Sequence, residues 1–235
     1  AVNIVRGGAQ DGCDAYGFQM CRLAPKYRDE KTLRGIFRRM GRRPIYATNY
    51  RGGFNAGQTD MEIAEGMMFL AGCGVTCIDV MGDMYHPAED QMTGNADAVR
   101  MQRATIDALH AAGAEVLMSA HVMKFLPAAE VVRIAETQRD RGADIAKIVT
   151  AANSEEEELA NLRTTEILRD RLDIPFLFLS GGTHYRLHRM LGPKLGCCMW
   201  LAVWRHDALA TKAQPTCRSV RAVADAFNCM PEEQM

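Results

Sequence analysis

Charge of one sign is what this chain lacks most plainly: 28 Lys and Arg stand against 29 Asp and Glu in 235 residues, a formal net charge of −1. That balance gives no electrostatic footing for nucleic acid or an anionic membrane as partner. No apolar run approaches the roughly 18 residues that a bilayer span requires. The opening AVNIVRGGAQDG has neither the basic nor the apolar region of a secretory signal, so the expected location is the cytoplasm. Linkers, repeats and low-complexity tracts are also missing, and one domain over residues 1–235 is expected.

CxxC pairs are absent too. The eight cysteines (Cys13, Cys21, Cys73, Cys77, Cys197, Cys198, Cys217 and Cys229) are scattered, several within apolar stretches such as LAGCGVTCIDV. Reduced, mostly buried thiols are therefore expected, with neither a disulfide framework nor a zinc site. Fifteen methionines read as packing, and 48% hydrophobic content suffices for one sizeable core.

What the chain does have is a rhythm. Strand-like segments at 15–23, 43–50, 75–81, 115–122, 143–149, 174–180 and 197–203 alternate with helical patterns at 28–40, 59–72, 95–113, 128–142 and 154–172, and a last helix begins at Cys217. Thr59 or Asp60 is placed to cap one helix, and Ser154 with its run of acidic residues another. Sustained alternation of this kind predicts α/β architecture with a parallel sheet or a (β/α)8 barrel. The count is seven strands after a helix-like opening. A TIM-type (β/α)8 barrel whose first strand lies ahead of Ala1 is the fold expected.

Lys147 stands out in this pattern. In the apolar run GADIAKIVTA, Ile145, Lys147 and Val149 share one face of a strand, and Ala146, Ile148 and Thr150 share the other. A strand in such a sheet is buried on both faces, where an ammonium is costly unless neutral or paired. The lysine is either a catalytic amine or the partner of Asp144 or Asp79. Reacting groups in barrels sit at the C-terminal ends of strands. The polar residues there are Arg22, Asn49, Arg51, Asp79, Ser119, His121 and Lys147, with Ser180 opening the loop to His184 and Arg186. Such a mouth is rich in cations and poor in carboxylates. It suits a small anionic, hydroxylated ligand, and its charge together with burial would lower the lysine pKa. Taken singly, His121 is as readily a hydrogen-bonded structural histidine, and each arginine a surface ion pair. His184 and His188 have metal-ligand spacing without a third ligand, and the SGGTH loop is a weak phosphate signal.

SAHVMKFLP (119–127) followed by GADIAKI (142–148) resembles the paired motifs of type I 3-dehydroquinate dehydratases, in which a strand-end histidine precedes a proline turn and a GADIxK strand carries the Schiff-base lysine. The likeness extends over essentially the whole chain. IYATNYR is similar to the strand ending in a substrate-binding arginine, here Arg51, and MCRL to the E-x-R-x-D segment, contributing Arg22. HYRLHRMLGPKLG is similar to the S-R-x-x-G segment, contributing Arg186, and AQPTCRSV to the A-P-G-Q lid, with Cys217 at the glutamine.

The resemblance implies a (β/α)8 barrel and a carbon–oxygen lyase acting on a small anionic keto acid, without metal or organic cofactor. It also implies a homodimer by analogy. Neutral Lys147 would attack the ketone, and the iminium would acidify the neighbouring C–H. His121 would then act as general base and general acid, a task suited to an imidazole of ordinary pKa near 6.5. The departures are Met20 for a glutamate, Asn55 for the glutamate that orients the histidine, Val122 for an aspartate and Cys217 for the lid glutamine. They leave open a different imine-forming lyase, retro-aldol or decarboxylating, and a non-catalytic ligand-binding barrel.

Overall fold

The computed structural model describes residues 2–208 and 210–228; Cys229 lies outside the described residues. After helix α1 (Val2–Gln10), six strands follow: β1 (Tyr16–Gln19), β2 (Ile45–Thr48), β3 (Cys77–Met81), β4 (Glu115–His121), β5 (Ile145–Ala152) and β6 (Phe176–Gly182). All neighbours pair in parallel, in the order β1-β2-β3-β4-β5-β6. Among the described residues β6 has no ladder to β1, so the curved sheet stays open.

Parallel neighbours need crossovers, and helices supply most of them. These are α2 (Glu30–Phe37), α3 (Asp60–Gly72), α4 (Ala96–Ala111), α5 (Ala128–Asp140) and α6 (Glu155–Arg171), followed after β6 by α7 (Arg186–Leu195) and α8 (Cys217–Asn228). Their starts are written locally. Thr59 and Glu62 form a reciprocal capping box on α3, Asn95 caps α4, and Ser154 caps α6 ahead of four glutamates in its first turn. Leu33, Ile63, Met67, Leu70, Ile106 and Ile134, from the helices, and Ile78, Met118 and Phe178, from the strands, are fully buried in one continuous core. No helix among the described residues is long and apolar enough to cross a membrane.

Two strand expectations are corrected. The segment 197–203 is extended but forms no ladder: Cys198 N–H donates to the Phe176 carbonyl (2.8 Å), and Val203 makes only an isolated bridge with Thr216. Its Trp200 serves α7 instead, Nε1 donating to the Met190 carbonyl at 2.9 Å, while Cys197 Sγ donates to the Phe178 carbonyl of β6 at 3.4 Å. At the other edge β1 ends at Gln19, because Met20–Arg22 tightens into a 3-10 turn closed by Leu23 N–H on the Met20 carbonyl.

The β3–α4 loop is held from below by a buried cation. Arg141 donates to the Gly82 carbonyl (2.9 Å), to Gln102 Oε1 (2.8 Å) and to the Thr93 carbonyl. The loop in turn presents Gln91, at φ +52°, whose Oε1 accepts the backbone N–H of His121 at 2.7 Å. Replacing Arg141 with Met removes a donor from Gln102 Oε1 and the Thr93 carbonyl, while Gly82 keeps its bonds from Gln102 Nε2 and the Thr93 N–H. Arg141→Met is therefore expected to cost about 2–4 kcal/mol, read as a lower urea midpoint.

Candidate functional site

Four strands converge on Lys147. Parallel register sets Ser119 beside Lys147 and Thr48 beside Asp79, and alternation puts Tyr46 and Thr48 on one face of β2. Tyr50 follows just beyond that strand. Nζ of Lys147 donates to Tyr46 Oη (2.9 Å), Tyr50 Oη (3.0 Å) and Asp79 Oδ2 (3.0 Å). An ammonium has three N–H donors, and here each has an acceptor. Asp79, fully buried, also accepts from both phenols and from Ser119 Oγ at 2.5 Å. Of the two carboxylates open to Lys147 on sequence grounds, Asp79 is the partner; Asp144 instead contacts His110 and the Val116 N–H.

This arrangement reverses the expected electrostatics. Burial pushes the Lys147 pKa down, but the Asp79 carboxylate and the Tyr50 hydroxyl outweigh it and hold the amine above its ordinary value. Asp79 mirrors this: burial raises its pKa, while Lys147, His121 and the Ser119 and Tyr46 hydroxyls bring it below the usual carboxylate range. Both phenols are raised, chiefly by burial and next by Asp79, and so keep their protons. His121 ends β4 with its ring edge-on to Tyr50, centroids 5.5 Å apart. Burial, the Lys147 charge and Arg189 depress its pKa to about 4 against the opposing pull of Asp79. At neutral pH the resting pair is therefore an ammonium and a neutral imidazole, not the neutral amine and mid-range histidine expected.

The expected ring of arginines is also redrawn. Arg51 turns away from Lys147 to a bidentate pair with Asp60 (2.7 and 2.8 Å) and a contact with Asp83 at 2.9 Å. Alternation past β2 explains the switch, since successive side chains point to opposite sides and Tyr50 takes the inner one. Arg22 is exposed on the 3-10 turn after β1, and Arg186 is exposed at the start of α7. Arg189, three residues on, is buried, donates Nε–H to the Ser180 carbonyl at the end of β6 (2.6 Å) and feels no carboxylate pair among the described residues. Burial lowers its pKa to about 10, which leaves it charged at neutral pH. Arg186 and Arg189 line a cavity of about 340 Å³ between α7 and the segment 206–219, shared with His206 and Lys212. The R-x-x-G spacing of the family segment is met by Arg189 and Gly192.

Asn55 is buried, but it serves the loop and not His121: it accepts from Arg28 (2.7 Å) and donates to Asn49 Oδ1 (2.8 Å) and the Tyr50 carbonyl (2.9 Å). Cys217 opens α8 half-buried, its N–H on the Val203 carbonyl at 2.8 Å. Met20 and Val122 are core residues. The His184/His188 pair does not assemble, because both ring nitrogens of buried His188 are spent on Ser180 Oγ (2.7 Å) and Thr165 Oγ1 (2.9 Å). The SGGTH loop commits the N–H groups of Thr183 and His184 to the Ala152 carbonyl. Thr48 Oγ1, on the same face as Tyr46, is buried with no hydrogen-bond partner. Tyr46 and Tyr50 read as apolar members of a strand pattern, although the alternation in IYATNY places them on one face.

His121 ends β4, whereas Asp79 sits mid-strand in β3 and Lys147 is the third of eight residues in β5, deeper in the sheet than its expected place toward the strand end. A curved parallel α/β sheet of this kind has the layout of (β/α)-barrel proteins, whose sites lie at the C-terminal mouth. The family model of type I 3-dehydroquinase matches residues 88–233, and the chain belongs to that family. A curated 3-dehydroquinate dehydratase from Lactiplantibacillus plantarum is 34% identical over 98 residues, a stretch spanning 41% of this chain and 39% of the relative. The 3-dehydroquinate dehydratase of Geobacillus kaustophilus superposes with a TM-score of 0.81 at 18% identity, covering 97% of this chain and 85% of that one. The type I enzyme of Clostridium difficile, solved with covalently modified comenic acid, gives 0.78 at 17% identity over 95% and 85% of the two chains. At these identities the structural likeness is one of fold.

The site makes two electrostatic predictions. Asp79→Asn removes the largest counterweight to burial, so the Lys147 pKa is expected to fall; its Cε resonance followed by NMR against pH reads this directly. His121, near 4, and His188, which burial and Arg189 lower to about 3, both have folded pKa values below the unfolded one. From about pH 6.5 down towards these values the unfolded chain takes up protons that the folded chain refuses. Stability should therefore fall with pH there by up to roughly 1.4 kcal/mol per pH unit per histidine. Urea midpoints between pH 4 and 7 test it, and a flat profile would contradict the two depressed values.

Proposed function

We propose that the chain, as one domain over 1–235, is a carbon–oxygen lyase that dehydrates 3-dehydroquinate or a related cyclic keto acid through an imine on Lys147. Membership of the type I 3-dehydroquinase family supports the substrate class. The observation that carries the chemistry is the buried amine of Lys147 on β5, beside a neutral imidazole at the end of β4. On loss of one proton Nζ becomes a nucleophile towards the ketone. The iminium then withdraws electrons from the adjacent carbon, and His121, unprotonated down to about pH 4, accepts the C–H proton. The same proton, returned to the departing hydroxyl, releases water, and hydrolysis of the remaining iminium frees the conjugated enone and regenerates the amine. Since the iminium is itself the electron sink, this route calls for no metal or organic cofactor.

Arg189 is the cation this reading places on the substrate carboxylate, with the unpartnered Thr48 hydroxyl available to a substrate oxygen. Arg186 and Cys217, at the α7–α8 side, belong to a closing segment over the mouth, while Arg22, Arg51 and Asn55 shape the loops around it. A homodimer and a cytoplasmic location complete the reading, the former by family analogy. The exchange of expected carboxylates for Met20 and Asn55 favours, as a second reading, imine chemistry on a different keto acid.

Borohydride reduction in the presence of 3-dehydroquinate is expected to add the reduced ligand to the Lys147 peptide, detected by mass spectrometry and lost in Lys147→Ala. His121→Ala should lower turnover by about 10²–10⁴-fold, followed as absorbance of the conjugated enone product. No adduct with any ketone sinks the imine reading. An adduct without enone formation assigns the chain to the second one.

A further inference from the structure

The tripod around Lys147 holds a group that the imine route above leaves idle. Tyr50 Oη lies 3.0 Å from Nζ and 3.3 Å from Ser119 Oγ, donates to Asp79, and sets its ring edge against His121. It thus spans the gap between the amine and the imidazole. Tyr46 reaches Nζ from within β2, whereas Tyr50 follows the C-terminal end of that strand, the end at which a ligand arrives.

We propose that Tyr50 is a catalytic residue, the proton shuttle for addition of Lys147 to the substrate carbonyl. The inference rests on the imine reading above and adds a division of labour to it. Once the ammonium has lost one proton to solvent, the Nζ lone pair forms the C–N bond and the carbonyl π pair moves onto oxygen. A reacting carbonyl sits roughly 3–3.5 Å from the nucleophile, so its oxygen develops charge within reach of a hydroxyl that is itself 3.0 Å from Nζ. The phenol gives that oxygen its proton, and the phenolate takes back one of the two protons on the now cationic nitrogen. A neutral carbinolamine and an intact phenol result, so atoms and charge balance.

The other groups facing Nζ do not offer this donor. Asp79 on β3 is ionised and accepts only. His121 on β4 is unprotonated at neutral pH. Ser119 donates to Asp79 as both phenols do, but unlike them it has no hydrogen bond with Nζ among the described residues. Tyr46 carries a proton but lies on the strand side of Nζ. His121 is thereby left for the C–H proton, and Tyr50 serves the oxygen.

Timed cyanoborohydride trapping of 3-dehydroquinate on Lys147, under single-turnover conditions, separates the roles. Tyr50→Phe is expected to form the adduct at least 100-fold more slowly at a similar substrate affinity. His121→Ala should lose turnover yet trap faster than Tyr50→Phe. Incorporating 3,5-difluorotyrosine at position 50 keeps the shape and lowers the phenol pKa, so the alkaline decline in trapping rate should move to lower pH. Trapping by Tyr50→Phe at the wild-type rate, or a fluorinated profile superimposed on the wild type, overturns the role of Tyr50 alone. Absence of any adduct in the wild-type protein overturns the imine reading and this role together.

Discussion

The ion pair between Lys147 and Asp79 is the constraint around which the inner face of the sheet is arranged. An ammonium stripped of water costs several kcal/mol, and a nearby carboxylate offsets that only when the remaining donors and lone pairs are satisfied. Here Asp79 supplies the charge, the two phenols take the other N–H bonds of Nζ, and the same phenols with Ser119 satisfy the carboxylate. Each contact comes from a different strand or from the residue just past one. The network therefore closes only in the register that sets Ser119 beside Lys147 and Thr48 beside Asp79. A one-residue slip would turn these side chains into the helix-facing core.

The pair also governs its surroundings. A fixed positive charge beside His121 helps hold the imidazole neutral, and burial works in the same direction. Geometry one layer out is equally prescribed: Arg141 anchors the β3–α4 loop through backbone carbonyls, and that loop fixes the end of β4 through Gln91. Arg51, one residue past Tyr50, is drawn off by Asp60 and Asp83, so its charge stabilises a loop corner. Arg189, buried on α7, has no carboxylate partner among the described residues.

Much of the architecture was legible in the residues. Period-two and helical patterns, with caps at Thr59 and Ser154, mark the alternating elements, and an apolar strand interrupted by one lysine marks the site. These signals are local and therefore survive in the linear chain. The strand anticipated at 197–203 shows the limit of local reading, because CCMWLAV has strand-like composition but its indole is claimed by α7. Arg186 and Arg189 show it again: both are arginines on one short helix, and only the turn of that helix decides which is buried and which faces out.

By itself, then, the sequence determined the α/β rhythm, the helix starts, the family likeness carried by GADIAKI and SAHV, and the presence of a buried amine in need of a partner. Tertiary structure alone decided which partner that was and what charge the amine carries. The reason is physical: a pKa depends on distances of about 3 Å between groups drawn from segments up to 101 residues apart, and no spacing along the chain encodes them. Lys147 was conspicuous from the start. That it rests as an ammonium, held by Asp79 between two tyrosines, follows from the fold.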